Sequence, residues 1–215
     1  KSDAPELVDV KITDFCQAEC RWCYQGSTDK GIPADFNRIS QIAACLGELG
    51  VFEVALGGGE PTTHPHFLAI LEDFREHDIV PSITTHDLKW LDQPWAEKAI
   101  ANIGAIGFSV YSASDVARLV VARDKYKMQV TLHIIPEVMG KYMLGALFQA
   151  AAIYDFHVLL LGAKHTGRGK KYHYEDVPWA DIYAKLEHRP SLSIDTVLAQ
   201  KAREQLSQYD LADYL

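Results

Sequence analysis

The chain has 215 residues, a formal net charge of −8 and a pI near 5.5. Such an acidic chain lacks the basic surface that non-specific binding to nucleic acid or to anionic lipid requires. Its hydrophobic fraction of 48% is ordinary for a folded protein. No apolar run approaches the ~18 residues of a membrane helix, and residues 1–6 lack the apolar stretch of a signal peptide. We therefore expect a cytoplasmic protein without a membrane partner.

Apolar runs of strand length alternate with segments of helical periodicity along the chain. Pro33 and Pro65 precede helical patterns, and Gly50 follows the first of them. Six predicted strands cover residues 7–12, 51–56, 79–84, 103–110, 129–135 and 156–161, with a weaker seventh at 192–197. The predicted helices start near residues 33 and 65 or cover residues 90–101, 114–123, 141–154, 177–186 and 198–209.

Strands that are apolar along their length and separated by helices are typical of a parallel sheet covered by helices. Six such units predict an α/β fold, a partial (β/α)6 TIM-like barrel with parallel strands and outer helices, since a full eightfold barrel needs ~250 residues. We expect a single domain over residues 1–215, with its core over about 7–170 and a C-terminal helical extension over 171–215. Because the sequence starts at Lys1 without Met, we also consider a longer chain with a cluster-binding domain after Leu215.

Three cysteines follow the first predicted strand directly. Cys16, Cys20 and Cys23 are spaced C-x3-C-x2-C, and thiolates this close can bind one metal centre together. Three thiolates leave a four-ligand site one ligand short, which is a place for chemistry. The remaining Cys45 lies in a predicted helix as a packing residue, so a second cluster cannot be assembled from this sequence. The spacing alone leaves zinc, a redox site and an iron–sulfur cluster open.

A glycine-rich segment, Gly57-Gly58-Gly59-Glu60-Pro61, ends the second predicted strand. Loops at the carboxyl ends of parallel strands share one face, so we expect this segment and the cysteines on the same face. Glycines let a ligand approach the backbone closely, and a Glu carboxylate accepts hydrogen bonds from an ammonium group. The two motifs together predict a metal centre with one open position beside an amine-binding loop.

The combination of Cys16-x3-Cys20-x2-Cys23, with Trp22 before the last cysteine, and Gly58-Gly59-Glu60-Pro61 resembles the radical S-adenosylmethionine (SAM) superfamily. The resemblance covers the chain from Leu7 to about Gly169. It implies a [4Fe–4S] cluster on the three cysteines, with SAM on the fourth iron through its amino and carboxylate groups. It also implies an electron donor such as flavodoxin or ferredoxin. One electron then cleaves SAM to methionine and a 5'-deoxyadenosyl radical, which takes a hydrogen atom from the substrate.

The resemblance also implies roles for individual residues. The Glu60 side chain and the backbone of Gly58 and Gly59, next to Pro61, would hold the methionyl amine. Ser109 would contact the ribose or the carboxylate of SAM. The main chain at Trp22, Tyr24, Leu161 and Gly162 would border the adenine. Arg168, in the segment Gly167-Arg168-Gly169, would pair with the SAM carboxylate.

The sequence departs from the family pattern after the third strand. A Thr-Asn-Gly run is common there in the family, and this chain has Thr84-Thr85-His86-Asp87 instead. We therefore expect His86 and Asp87 to face the substrate. His133 is a third candidate catalytic residue, and Glu137, after the fifth strand, is a further candidate for a ligand-binding role like that of Arg168.

The substrate class is left open between two readings. The Gly-Arg-Gly loop and the segment after Cys23 favour the peptide-modifying branch of the superfamily, with a peptide or protein side chain as substrate. The short length favours a nucleoside, a nucleotide or another small molecule. Reductive cleavage points to an oxidoreductase in the broad sense, and the motifs do not separate it from lyase and transferase subclasses. The alternative of another class is a non-catalytic binding module stabilised by zinc.

Overall fold

The structure, a computed structural model, describes residues 4–207. Over these residues, strands and helices alternate as the sequence predicts. The strands are β1 (Leu7–Thr13), β2 (Glu53–Gly58), β3 (Val80–Thr85), β4 (Ile106–Ser109), β5 (Val130–Ile134), β6 (His157–Leu160) and β7 (Leu192–Ile194). The α-helices are α1 (Phe36–Glu48), α2 (Phe67–Glu76), α3 (Ala96–Asn102), α4 (Ala113–Tyr126), α5 (Gly140–Ile153), α6 (Trp179–Ala184) and α7 (Thr196–Ser207).

The strands follow one another in chain order in the sheet, from β1 to β7. The pairing is parallel in β1–β2, β2–β3, β3–β4, β5–β6 and β6–β7. This confirms the predicted α/β class, in which each crossover contains a helix. The predicted seventh strand is also present, as the short β7 beside β6.

The third predicted helix differs from the structure. We predict a helix over residues 90–101, but α3 begins only at Ala96, and Lys89–Asp92 form a separate turn of 3-10 helix. Pro94 lies between the two and disfavours the helical conformation in the residue before it. Gln93 is accordingly extended, with ψ of 147°. The last helix begins at Thr196 in the structure, two residues before its predicted start at residue 198. Its predicted end at residue 209 lies outside the described residues.

The chain divides into two compact units. The first contains residues 1–20, 25–108 and 122–129, and the second contains residues 21–24, 109–121 and 130–215. The core of the first is formed by buried residues of β1–β3 and α2, among them Ile12, Val54, Leu56, Ile70, Phe74 and Ile83. The core of the second is formed by β5, β6 and α5, among them Leu132, Ile134, Leu144, Phe148, Val158 and Leu160. The single domain over residues 1–215 stays a prediction.

In the first unit, the end of β2 is held against the segment that follows β1. The Gly59 N–H donates to the Thr13 carbonyl at 2.7 Å, and the Glu60 N–H donates to the Phe15 carbonyl at 2.8 Å. A Cβ on Gly59 would lie 1.9 Å from the Phe15 oxygen, and one on Gly58 would lie 2.2 Å from the Thr13 oxygen. Both glycines are thus required by the approach of another backbone segment.

This packing predicts opposite outcomes for two neighbouring glycines. Gly59→Ala should lower the free energy of unfolding by about 2 kcal/mol or more, because its Cβ meets backbone atoms that cannot move aside. Gly57→Ala is the matched control, since a Cβ there meets nothing within 4 Å, and should change stability by less than about 0.5 kcal/mol. Urea unfolding followed by circular dichroism measures both, and equal losses would contradict the packing argument.

Candidate functional site

The cysteine loop leaves the first unit at the end of β1 and returns to it. The Cys16 N–H donates to the Thr28 carbonyl at 2.9 Å, and the Asp14 N–H donates to the Ile32 carbonyl at 3.0 Å. The loop is therefore closed at its base by backbone hydrogen bonds, which hold Cys16 at a defined place after the strand. Cys16, Cys20 and Cys23 form no disulfide, and all three are partly exposed.

Glu60 is the most deeply buried acidic residue of the candidate site, at 4% exposure. Its Oε1 accepts hydrogen bonds from the hydroxyls of Thr62 and Thr85, each at 2.7 Å. Its Oε2 lies 3.4 Å from the His86 backbone nitrogen and 3.5 Å from His86 Nδ1. The carboxylate therefore joins the end of β2 to the loop after β3.

The two substrate candidates after β3 are arranged differently from each other. The side chain of His86 is 34% exposed and lies beside the Glu60 carboxylate. Asp87 instead accepts the backbone N–H of Lys89 at 2.9 Å, and so begins the 3-10 turn that follows. The structure thus brings His86, but not the Asp87 carboxylate, into contact with Glu60.

His64 connects the glycine-rich loop to the segment that returns from the cysteines. Its Nε2 lies 3.0 Å from the Ala34 carbonyl, and its Nδ1 accepts the His66 N–H at 3.1 Å. This pair of bonds requires the neutral tautomer with hydrogen on Nε2. Burial lowers the pKa of His64, in keeping with a neutral ring.

In the second unit, the Gly-Arg-Gly loop binds the backbone of the segment that carries the last cysteine. The Arg168 N–H donates to the Cys23 carbonyl at 3.0 Å, and the Thr166 hydroxyl donates to the Tyr24 carbonyl at 3.0 Å. Gly167 has a positive φ of 54°, and a Cβ on it would lie 2.4 Å from the Tyr24 oxygen. The glycine of this motif is therefore explained by close backbone packing.

An aromatic cluster surrounds Trp22, the residue before Cys23. Its ring lies 5.4 Å from Tyr111 and 5.6 Å from Tyr172, measured between centroids. Tyr172 continues to Tyr174 at 5.0 Å, and Tyr174 continues to His165 at 4.8 Å. The tilted and edge-on geometries are the favourable ones for aromatic pairs, so they fix the Trp22 side chain.

The remaining expected SAM contacts lie at the ends of their strands. Ser109 is the last residue of β4, and Asp115 orders the loop after it by accepting the N–H groups of Tyr111 and Ser112. Burial would raise the pKa of Asp115, but these bonds and one from Arg118 lower it below its ordinary value. After β6, the Gly162 N–H donates to Asp195 Oδ1 at 2.9 Å, so Asp195 holds the main chain there.

His133 and Glu137 belong to the second unit, in β5 and just after it. Burial lowers the pKa of His133 to about 4, and its Nδ1 has no hydrogen-bond partner among the described residues. The ring is therefore neutral at pH 7. Glu137 Oε1 accepts the Ala163 N–H at 3.2 Å and pairs with Lys201 Nζ at 3.3 Å.

Glu137 and Lys201 line a pocket of about 270 Å³ that is formed by residues following β5, β6 and β7. Two more carboxylates line it, those of Glu175 and Asp176, together with the Trp179 ring. Burial and the Glu137 charge raise the pKa of Tyr174, which also lines this pocket. The pocket is acidic with an aromatic wall.

Several residues that organise these sites were missed at the level of sequence. Thr62 and Thr85, which bind Glu60, are buried hydroxyls. The signal for Thr85 was its position at the end of a predicted strand that leads into the loop of His86. Asp195 directly precedes α7 and accepts the Leu198 N–H, whereas Asp115 lies in the first turn of α4 and exchanges hydrogen bonds with Ser112. Both are helix-capping arrangements, and a capping pattern is the signal that could have found them.

The three cysteines fit the implied iron–sulfur cluster better than a single metal ion. Within residues 4–207, no three His, Cys, Asp or Glu side chains converge on the position of one metal ion. The thiolates of a [4Fe–4S] cluster bind three different irons, so they need not converge on one point. Three partly exposed cysteines that form no disulfide, on a loop with a closed base, suit such a cluster. No described helix is long and apolar enough to cross a membrane.

Comparison with known proteins agrees with this donor set. The sequence model of the Radical SAM superfamily matches residues 10–135, more than half of the chain. GTP 3',8-cyclase of Pasteurella multocida is 28% identical over 102 residues, which are 44% of this chain and 30% of that enzyme. The enzyme of Haemophilus influenzae strain Rd is 29% identical over 109 residues, 48% of this chain and 32% of that enzyme. The aligned region thus spans about a third of these curated relatives.

Solved structures show the same fold at low sequence identity. SuiB of Streptococcus suis bound to S-adenosylmethionine has a TM-score of 0.72 and 13% identity, over 90% of this chain and 51% of that chain. SuiB bound to its precursor peptide SuiA has a TM-score of 0.74 and 13% identity, over 93% and 52%. The anSMEcpe enzyme with bound AdoMet has a TM-score of 0.64 and 16% identity, over 86% and 63%. These similarities confirm the partial-barrel fold.

His133, whose Nδ1 atom is buried, predicts a loss of stability in mild acid. Above its unfolded pKa of about 6.5 both states are neutral, and between 6.5 and 4 only the unfolded state binds the proton. From pH 7 to pH 5 the free energy of unfolding should therefore fall by about 2 kcal/mol through this residue. Denaturant titrations at both pH values measure it. His133→Gln should remove that part of the loss, and an unchanged pH dependence in this variant would contradict the assignment.

Proposed function

We propose a function from the premise that the chain belongs to the radical SAM superfamily. The superfamily uses a [4Fe–4S] cluster and SAM, and the chain is accordingly an enzyme. The proposal is that it cleaves SAM reductively and uses the resulting 5'-deoxyadenosyl radical to take a hydrogen atom from a peptide side chain. The observation that carries the proposal is the backbone contact that joins Gly58-Gly59-Glu60 to the start of the cysteine loop.

When bound, the cluster and SAM supply the electron and the radical. Cys16, Cys20 and Cys23 would hold the cluster and leave one iron for SAM. Glu60, with the backbone of Gly58 and Gly59, would hold the methionyl amine next to Pro61. The aromatic contacts of Trp22 with Tyr111 and Tyr172 would hold the residue before Cys23 in place.

The other proposed SAM contacts follow the remaining strands. Ser109, at the end of β4, would contact the ribose or the carboxylate, in a loop that Asp115 keeps in place. Main chain at Tyr24, Leu161 and Gly162 would border the adenine, and the Arg168 side chain would pair with the SAM carboxylate. His86, Asp87 and His133 are proposed as candidates for substrate chemistry.

The peptide is preferred as substrate because of charge. The pocket after β5–β7 contains three carboxylates, Glu137, Glu175 and Asp176, against the single cation Lys201. An acidic, aromatic pocket favours the ammonium or guanidinium of a Lys or Arg side chain and repels a triphosphate. SuiB, which shares the fold, has been crystallised with its precursor peptide.

A nucleotide substrate is the second candidate. It is favoured by the curated relatives, since the GTP 3',8-cyclases share 28–29% identity with about half of this chain. A nucleotide would then have to bind residues outside the acidic pocket.

Reconstitution tests the proposed activity. Protein treated anaerobically with iron and sulfide should become brown and, when reduced, release 5'-deoxyadenosine from SAM. Cys20→Ala should abolish this release but keep the circular dichroism of the wild type, because a cluster ligand is removed and the α/β core is not. Cys45→Ala is the matched control and should retain full release, since Cys45 is an exposed residue of α1.

The zinc-stabilised module makes the contrary prediction. Colourless protein with one zinc per chain, and a Cys20→Ala variant that is unfolded, would overturn the proposed activity.

The charge of the pocket predicts which probe is modified. Synthetic peptides with a central Lys or Arg should change mass in a reaction with enzyme, SAM and reductant, whereas matched peptides with a central Glu should not. Mass spectrometry measures the change, with GTP assayed in parallel. Lys201→Glu adds a carboxylate to the pocket, so this variant should modify the Glu peptides no better than the wild type does. Consumption of GTP with all peptides unchanged would establish the nucleotide candidate.

A further inference from the structure

The two oxygens of the Glu60 carboxylate have different surroundings. Oε1 accepts two hydroxyl hydrogen bonds at 2.7 Å, from Thr62 and Thr85, and lies 3.3 Å from the Thr62 backbone nitrogen. A carboxylate oxygen offers about two lone-pair sites, so Oε1 is fully occupied by the protein itself. A ligand that approaches Glu60 therefore has to bind the other oxygen.

Oε2 is held more weakly. Its contacts are the His86 backbone nitrogen at 3.4 Å and His86 Nδ1 at 3.5 Å, both longer than the usual 2.7–3.2 Å of a protein hydrogen bond. An ammonium group forms a shorter, charge-assisted bond of about 2.7–2.9 Å to a carboxylate. Such a group would form at Oε2 the short bond that the two longer His86 contacts do not provide.

We infer that Thr85 is a positioning residue that makes Glu60 a one-oxygen acceptor, and that His86 occupies the oxygen that the methionyl ammonium of SAM takes. The inference rests on the proposed function and deepens it. On SAM binding, the His86 ring leaves Oε2 and becomes available to the substrate side of the site. The amine site and a substrate candidate are in this way coupled through one carboxylate.

The geometry of Thr85 suits the positioning role. The residue is 3% exposed at the end of β3, and its Oγ1 accepts the Asp87 N–H at 3.1 Å. The hydroxyl has two possible acceptors, and the Glu60 carboxylate at 2.7 Å is closer than the Asp87 carbonyl at 3.2 Å. Removal of the Thr85 hydroxyl leaves the buried Glu60 carboxylate with one hydroxyl partner, that of Thr62. The carboxylate can then rotate, so that Oε2 no longer faces the ligand.

The geometry of His86 suits the role of a competitor. The ring is 34% exposed, while the Glu60 side chain beside it is 5% exposed, so the imidazole covers the carboxylate. The imidazole N–H and an ammonium N–H compete for the same oxygen. Loss of the ring should therefore favour ligand binding, in contrast to loss of the Thr85 hydroxyl.

The test uses reconstituted holoenzyme, with SAM and S-adenosylhomocysteine, which carries the same amine, as probes. Thr85→Val should raise the Kd for S-adenosylhomocysteine about tenfold, and Thr85→Ser should restore it to within about threefold. His86→Ala should leave this Kd unchanged or lower it. Thr63→Val is the matched control, since the Thr63 hydroxyl binds the main-chain oxygen of Glu60, and should bind as the wild type does.

Kinetics separate positioning from a general loss of structure. In reductive cleavage of SAM without substrate, Thr85→Val should raise KM with a smaller change in kcat, and its thermal midpoint is measured in parallel. His86→Ala carries the test independently if Thr85→Val does not fold. Wild-type-like binding by folded Thr85→Val, or weaker binding by His86→Ala, overturns the inference. Wild-type holoenzyme that neither binds nor cleaves SAM overturns the proposed function as well.

Discussion

The structure depends on a short length of backbone contact between two loops of the first unit. The glycine-rich loop donates two main-chain hydrogen bonds, of 2.7 and 2.8 Å, to the carbonyls of Thr13 and Phe15. These carbonyls belong to the residues that lead into Cys16. Any side chain on Gly58 or Gly59 would occupy the same space as those oxygens. The position of the first cysteine and that of the glycine-rich loop are therefore fixed by one set of contacts.

The same principle applies in the second unit with different residues. There the Gly-Arg-Gly loop binds the carbonyls of Cys23 and Tyr24 through the Arg168 N–H and the Thr166 hydroxyl. Residues on both sides of the cysteine loop are thus held by hydrogen bonds to their main-chain carbonyls, which do not depend on bound cofactor. A loop ordered in advance loses less conformational entropy when it binds a ligand.

Much of this could be predicted from the sequence. The alternation of apolar runs and helical periods predicted every strand to within about three residues at each end, because burial of a parallel sheet leaves a strong pattern. The prediction of one continuous helix over residues 90–101 is wrong, because Pro94 separates the 3-10 turn from α3. The motif spacings indicated the metal centre and the amine loop, whose chemistry depends on residue type and order.

Other features of the site could not be read from the sequence. The sequence interpretation takes the glycines after β2 as space for a ligand, whereas the structure shows that backbone carbonyls occupy the space beside Gly58 and Gly59. Gly167, for which the sequence predicts no role, likewise lies against backbone carbonyls. The hydrogen bond of Thr85 to Glu60 joins residues 25 positions apart, so it depends on the register of β2 with β3. Long-range contacts of this kind leave no periodic signal along the chain.

The central claim is that the amine of SAM lies at an open iron beside the glycine-rich loop. Electron–nuclear double resonance on the reduced holoenzyme measures this most directly, with SAM that carries ¹⁵N in its methionyl amine. We expect a ¹⁵N hyperfine coupling to the cluster spin, and a change in the resonance of the reduced cluster when SAM is added. A cluster spectrum that SAM leaves unchanged, without ¹⁵N coupling, would contradict it.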